Sequence, residues 1–392
     1  MNNLYANRMS KIPRSFVREI LKVADEPDII SFAGGLPNPD TFPEDEFAES
    51  TSYILENSGA EALQYSTTEG YEPLRKLVSA RYSKNGLSVD PENILITNGS
   101  QQGLDLVAKV FLNKDDTVLV EKPTYLAALQ AFGLFEPNFN SIPLLNDGVD
   151  MDVLRSLIEE ESPKLFYSIP NFQNPTGISY SLEKRKMIGE LLNQNETMLV
   201  EDNPYGEIRF MGENLPPIKT FTDNSILLGS FSKIVAPGIR LGWIVAEDET
   251  MHHLVTAKQA SDLHSNFFSQ MIVHHYLTKY DVEEHLSMIR KMYKNQRDFM
   301  VEMIKLHFPD NVKYTQPEGG MFLWVTLPED MVAMELFEKT MEDKVAFVPG
   351  EAFYSDDPQK NTLRLNFSNS NNNKIEEGIK KMGNAIKELQ NQ

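Results

Sequence analysis

GSFSKIVAPGIRLG, residues 229–242, lies between SILL (225–228) and WIVA (243–246), two apolar runs that read as core strands. Between them stand Ser230, Ser232, Lys233 and Arg240. A lysine at this place either snorkels to solvent along its methylene stem or is desolvated. In the second case its pKa falls and the free amine becomes a nucleophile for carbonyl carbon. Serines on its flank are poor apolar cover, and together with Arg240 they make a cradle for an anion.

Working outward, apolar runs alternate with helical patterns from about residue 65. ILIT (94–97) precedes GSQQGLDLVAKVFL, and TVLV (117–120) precedes TYLAALQAFGLF. KLFYSIP (164–170) and MLVEDNPY (198–205) are separated by SLEKRKMIGELLNQN. Such alternation predicts an α/β protein with a mostly parallel sheet and helices on both faces. Beyond about 285 the pattern changes to a long helix, HLSMIRKMYKNQRDFMVEMIKL, then short strands such as MFLWVTL and TLRLNFS. A loop at Asn369–Asn373 and a last helix, KIEEGIKKMGNAIKEL, end the chain. This second region reads as a smaller α+β domain. The expected division is 1–60 as an N-terminal segment joining the small domain, 61–284 as the large domain and 285–392 as the rest of the small one. The first 60 residues read as loop-rich with two short helices.

The composition sets bounds on what the chain can do. It has 392 residues, 41% hydrophobic and 24% charged, an ordinary globular balance that leaves room for two domains. The net charge of −20 argues against nucleic acid or an anionic membrane as partner. No apolar run approaches the roughly 18 residues that span a bilayer. The opening MNNLYANRMSKIPR lacks the apolar core of a secretory signal, so a cytoplasmic location is expected. Absence of cysteine excludes disulfides, thiolate metal sites and a thiol nucleophile, and no metal site is expected.

In a doubly wound sheet, ligands gather at the carboxyl ends of the strands, and three more polar clusters fall there. In TNGSQQGLD, Ser100 and Gln101 open a helix. Ser100 reads as an ordinary N-cap, or the free N–H groups and helix dipole bind phosphate. In SIPNFQNPTG, Asn174-Pro175-Thr176-Gly177 is either a plain turn or places Asn171 and Asn174 against a ligand. In VEDNPYGEIRF, Glu201 and Asp202 end an apolar strand with Tyr205 three residues on. A buried carboxylate there needs a cation, either a core arginine or a cationic ligand atom. Taken together, the clusters offer a phosphate cradle, a carboxylate for a ring nitrogen, amide and hydroxyl donors, and an imine-forming amine. Pyridoxal 5'-phosphate asks for that set.

With these residues in view, the chain resembles the fold type I aminotransferases of the aspartate aminotransferase superfamily over nearly its whole length. The carriers are N-P-T-G at 174–177, D-x-x-Y at 202–205, S-x-S-K at 230–233 and L-R-L-x-F-S at 363–368, in family order. The aspartate branch has one more residue between the counterparts of Lys233 and Arg240. The shorter spacing, with FAGGLPNPDTFP (32–43), QYSTTEGY (64–71), NGSQQGLD (98–105) and FVPGEAFY (347–354), resembles the 2-aminoadipate/kynurenine aminotransferase branch.

The resemblance implies that Lys233 forms the Schiff base with the cofactor and then moves protons. Asp202 pairs with the pyridine nitrogen, Tyr205 and Asn174 bond the phenolic oxygen, and Tyr125 stacks on the ring. Ser100, Gln101, Ser230, Ser232 and Arg240 hold the phosphate, joined by Tyr65 from a neighbouring subunit of a homodimer with shared sites. Arg364, helped by Asn174, clamps the substrate α-carboxylate, and the loop at Gly34 and Gly35 closes over it. The substrates would be an L-amino acid and a 2-oxo acid such as 2-oxoglutarate, exchanged by a ping-pong cycle. A lyase or oxoamine synthase of the same fold is the alternative, and a cofactor-binding regulator domain a more distant one. In S-x-x-R-E-L-L, matched by Ser15-Phe16-Val17-Arg18-Glu19-Ile20-Leu21, Arg18 either pairs at the surface or meets the distal carboxylate of a dicarboxylic substrate. A helix able to swing away would then admit aromatic or branched-chain donors too.

Overall fold

The computed structural model describes residues 4–10, 20, 26 and 28–391. The first strand, β1 (Ile30–Ser31), is followed by β2 (Ile94–Thr97), β3 (Thr117–Lys122), β4 (Asn138–Leu145), β5 (Gly148–Val149), β6 (Leu165–Ser168), β7 (Met198–Asp202), β8 (Ser225–Ser230) and β9 (Gly242–Val245). Then come β10 (Lys313–Tyr314), β11 (Phe322–Thr326), β12 (Val345–Ala346), β13 (Val348–Pro349) and β14 (Thr362–Asn366). Among the described residues they make three sheets. The largest has the order β2-β9-β8-β7-β6-β3-β4-β5. Its centre, β8 through β4, is parallel, while β9 runs antiparallel to both neighbours and β5 to β4.

Uninterrupted apolar runs form the central strands because both sheet faces are covered. Successive side chains point to opposite faces. Val118, Val120, Leu165, Tyr167 and Val200 accordingly join one core, while Leu119, Phe166 and Leu199 join another on the far side. The helices between them start where the sequence supplies an acceptor for free N–H groups. Asp150 caps Met151–Glu161, Ser181 caps Leu182–Leu192 and Asn266 caps Phe267–Lys279.

The second sheet, β10-β11-β14-β13, is antiparallel throughout. The long helix Val282–His307 and the last helix Asn372–Gln390 belong to the same stretch of chain. β1 pairs in parallel with β12, Ile30 opposite Val345, which ties the start of the described chain to its C-terminal region. The first 60 residues differ from expectation. The helix Glu44–Ala62 has 19 residues, with Ser58 non-helical at φ −143°, rather than being one of two short pieces. The other expected helix, which carries Arg18, lies outside the described residues apart from Ile20.

The stretch 229–242 is the reversal between β8 and β9, with Ser230 opposite Gly242 and Gly229 opposite Trp243. A Cβ on Gly229 would collide with the Trp243 indole. The turn therefore projects its lysine and arginine from the carboxyl end of β8.

Candidate active site

A cavity of about 510 Å³ lies at the carboxyl ends of the parallel strands. The loops after β6, β7 and β8 and the start of the helix Ser100–Phe111 form one side; Arg364 of β14 and Phe322 of β11 close it from the second sheet, with the Gly34-Gly35 loop that follows β1.

The floor is Asp202, the last residue of β7, 2% exposed. Tyr167 on the neighbouring strand donates its hydroxyl to Oδ2 at 2.8 Å, while buried Oδ1 has no hydrogen-bond partner. Burial pushes the carboxyl up to about 7; the Tyr167 hydrogen bond opposes the rise and the charge of Glu121 adds to it. Adjacent Glu201 faces the other way. Its oxygens accept from the backbone N–H groups of Ile218 and Lys219, each at 3.0 Å. The two carboxylates thus divide the readings that the sequence left open. Glu201 is satisfied structurally, with Arg185 the nearby core cation. Asp202 meets no arginine and presents one bare oxygen to the cavity wall.

Lys233, half-buried, donates from Nζ to the Gly35 carbonyl at 2.9 Å. Burial, then the like charges of Arg364 and Arg240, lowers its ammonium from 10.5 to about 8. Snorkelling to bulk water is therefore not its state.

At the cavity's other end the helix Ser100–Phe111 begins. Its N-cap is Gly99 (φ +75°, ψ 166°), which makes no side-chain capping bond. Of the two readings of Ser100, the ordinary N-cap does not hold, because the chain turns into the helix one residue earlier and Ser100 is already its first residue. A Cβ on Gly99 would stand 2.5 Å from Nη2 of Arg240. Arg240, itself left-handed at φ +53°, donates from Nη2 to the Asn98 carbonyl at 3.4 Å. Ser230 Oγ accepts from the Ser232 N–H at 3.1 Å, and Gln101 Nε2 donates to Ala127 O at 3.3 Å. Backbone N–H groups, three serines and a guanidinium converge here, the donor set of a phosphate cradle.

Arg364 is 5% exposed. It donates from Nη1 to Asn174 Oδ1 at 2.8 Å and from Nη2 to Ala33 O at 2.7 Å; Nε is buried without a partner. The guanidinium lies 4.2 Å from the Phe322 ring centroid and 5.0 Å from that of Phe353. Burial lowers its pKa to about 10, so it stays charged at neutral pH. Asn174 also donates to the Tyr205 hydroxyl at 3.5 Å, and burial raises the phenol strongly. Tyr125, at the start of the helix Leu126–Gly133, lines the same cavity.

The structure thus brings together Lys233, Asp202, Tyr205, Ser100, Gln101, Tyr125, Asn174, Ser230, Ser232, Arg240, Gly35 and Arg364. It does not bring Tyr65, which is 78% exposed and packs edge-on to His264 outside the cavity lining. Arg18 lies outside the described residues. Sequence reasoning missed Tyr167 and Phe322. Both sit in apolar strands and carry no local signal; only their neighbours across the sheet reveal them.

The donor set fits pyridoxal phosphate: a bare buried carboxylate oxygen for a protonated ring nitrogen, a phosphate cradle and a desolvated amine in one cavity. Fold and site together define a fold type I pyridoxal-phosphate enzyme. The chain belongs to the aminotransferase class I and II family, whose sequence model matches residues 28–382. It is 45% identical over 382 residues to an aromatic-amino-acid aminotransferase of Thermococcus litoralis, covering 95% of this chain and 92% of that one. A kynurenine aminotransferase structure from Pyrococcus horikoshii superposes with a TM-score of 0.94 at 43% identity, covering 98% and 97% of the two chains. The α-aminoadipate aminotransferase of Thermus thermophilus, complexed with N-(5'-phosphopyridoxyl)-L-leucine, gives 0.92 at 40% identity over 99% and 98%. The protein is a pyridoxal-phosphate-dependent aminotransferase, exchanging an amino group between amino acids and 2-oxo acids. No helix among the described residues is long and apolar enough to cross a membrane.

Proposed function

We propose that this enzyme is a broad-range transaminase taking 2-aminoadipate or glutamate as well as aromatic and leucine-like donors, with 2-oxoglutarate as acceptor. The observation that carries the cofactor geometry is the partnerless Oδ1 of Asp202 in the cavity that also holds Lys233. The breadth is supported by the names of similar proteins, which act on aromatic amino acids, kynurenine and aminoadipate, one of them carrying a leucine adduct.

Bound pyridoxal phosphate supplies an electron sink for the charge left when the substrate loses its α-proton. Asp202 Oδ1 would hold a proton on the ring nitrogen and keep that sink effective. Lys233 Nζ, with a pKa near 8, is matched to taking and returning a proton near neutral pH. Ser100, Gln101, Ser230, Ser232 and Arg240 would hold the phosphate, Tyr125 would cover the ring, and Tyr205 and Asn174 would bond its phenolic oxygen. Arg364 has guanidinium donors left over to fork onto an α-carboxylate. Its bond to Asn174 aims it. The Gly35 segment would close over the substrate and exclude water. Tyr65 would complete the phosphate site of a second copy in a homodimer. Arg18 would meet a distal carboxylate.

The test is single-turnover bleaching of the cofactor band against a panel of L-amino acids, with the keto product identified. Bleaching by 2-aminoadipate or glutamate and by leucine or an aromatic donor is expected, each giving its 2-oxo acid. Bleaching by one class alone would sink the breadth. Loss of carbon dioxide or side-chain cleavage would sink the transaminase reading.

A further inference from the structure

Behind the cofactor cavity, across the loop that follows β7, lies a second cavity of about 290 Å³. Pro204 and Ser230 line both. None of the roles assigned above uses it. Its walls carry Arg81, Lys84, Arg209 and Arg290 against two carboxylates, Glu207 and Glu283, in a chain of net charge −20. Arg81 pairs with Glu207, Arg290 with Glu283 at 3.4 Å, and Arg209 with Glu318 at 2.6 Å from outside the lining. Those pairs leave donors over. Nε of Arg81 is buried with no hydrogen-bond partner, whereas the Arg209 guanidinium is held by Met211 O, Glu318 and the face of Phe172, none of which lines the cavity. A buried guanidinium N–H with nothing to donate to is costly, and together with the cations that outnumber carboxylates on this wall it marks a place for acceptor oxygens. Asn171 and Asn203, joined by a bond from Nδ2 to Oδ1 at 2.9 Å, add amide groups to the wall. The rest of the lining includes Val78, Ile234 and the indole of Trp243, an apolar surface for a short carbon skeleton.

We propose that this cavity is a second binding site, taking a small organic carboxylate. Its ligand sits against Asn203, the residue after Asp202, and against Ser230 of the phosphate cradle. Occupancy is thus placed to act on cofactor retention from behind.

The probe is succinate, with the uncharged succinamide and inorganic phosphate as controls. Cofactor-loaded Arg364→Leu enzyme is used so that the substrate carboxylate site is removed. Trp243 gives an intrinsic fluorescence signal, since the second tryptophan, Trp324, lies in β11; calorimetry gives the stoichiometry. Saturable succinate binding is expected in the Arg364→Leu background, with no response to succinamide and a weaker one to phosphate. Arg290→Gln should weaken it by about tenfold or more. Lys84→Gln, an exposed substitution that spares the fold, should weaken it less. No saturable succinate signal, phosphate binding as tightly as succinate, or affinity unchanged in both variants would each overturn the assignment.

Discussion

Lys233 and Asp202 owe their chemistry to the same cause, burial, acting on opposite charges. For the lysine, burial disfavours the ammonium and brings it to about 8. The rate at which cofactor-free protein takes up pyridoxal phosphate should therefore rise with pH and level off above about 8. A rise continuing towards 10.5 would show an unperturbed amine. Lys233→Ala should abolish turnover while retaining part of the cofactor affinity; wild-type turnover would remove the lysine from its role. For the aspartate, burial disfavours the anion. Its pKa is about 7 in the folded protein without cofactor and 3.8 in the unfolded chain, so between those values only the folded state keeps the proton. Stability without cofactor thus falls as pH rises through that window, by on the order of 4 kcal/mol in full. Asp202→Asn should relieve it, with an advantage over wild type in cofactor-free melts that grows from pH 5 to pH 8. With cofactor bound the sign should reverse, and turnover should drop by about 10³-fold, the scale of a lost electrostatic partner. An advantage that ignores pH would place the raised pKa on another group.

At the scale of elements, the phosphate cradle depends on where one helix begins. Gly99 sits at φ +75° with the Arg240 guanidinium against its Cα. With ψ at 166° this is a conformation essentially confined to glycine, so Gly99→Ala adds backbone strain of roughly 1–3 kcal/mol and pushes Arg240 out of position. The variant should lose cofactor affinity well beyond its loss of thermal stability, which an equilibrium cofactor titration beside a melt would separate. Equal, small changes in both would mean that Arg240 yields without consequence. The strands themselves were legible. ILIT, SILLGS and the runs at 165–168 and 198–202 are mostly apolar, with polar groups gathered at their carboxyl ends, because both their faces are covered. By contrast β4, NFNSIPLL, gave no signal. It lies towards the sheet edge with much of its surface exposed, and its asparagines, serine and proline read as loop. The turn holding Lys233 was legible too, since serines, a lysine and an arginine between core strands have few structural uses.

The whole molecule carries the proposals that one chain cannot complete alone. Tyr65 is exposed on this chain, away from the cavity. If it serves a second copy, two inactive proteins, Lys233→Ala and Tyr65→Phe, should regain activity when their subunits are exchanged. No recovery after verified exchange would count against a shared site. Arg18→Ala should lower kcat/KM for dicarboxylic donors by roughly 10–100-fold, the scale of a charge-assisted hydrogen bond, and leave apolar donors unchanged. An equal fall for all donors would make the residue structural.

What the sequence determined by itself was local: the alternation of strand and helix, the turns, and which chemical groups stand at strand ends. Those features live within a few residues of one another, so periodicity and motif spacing expose them. Only the tertiary structure decided that Glu201 is satisfied by backbone N–H groups while Asp202 keeps a bare oxygen. Likewise only the fold showed that Gly99, not Ser100, caps its helix, that Tyr167 holds Asp202 from a neighbouring strand, and that Phe322 and Phe353 lie under Arg364. Each of these turns on burial and on partners tens to hundreds of residues away. Desolvation and side-chain direction are properties of the packed chain, and no stretch of sequence contains them.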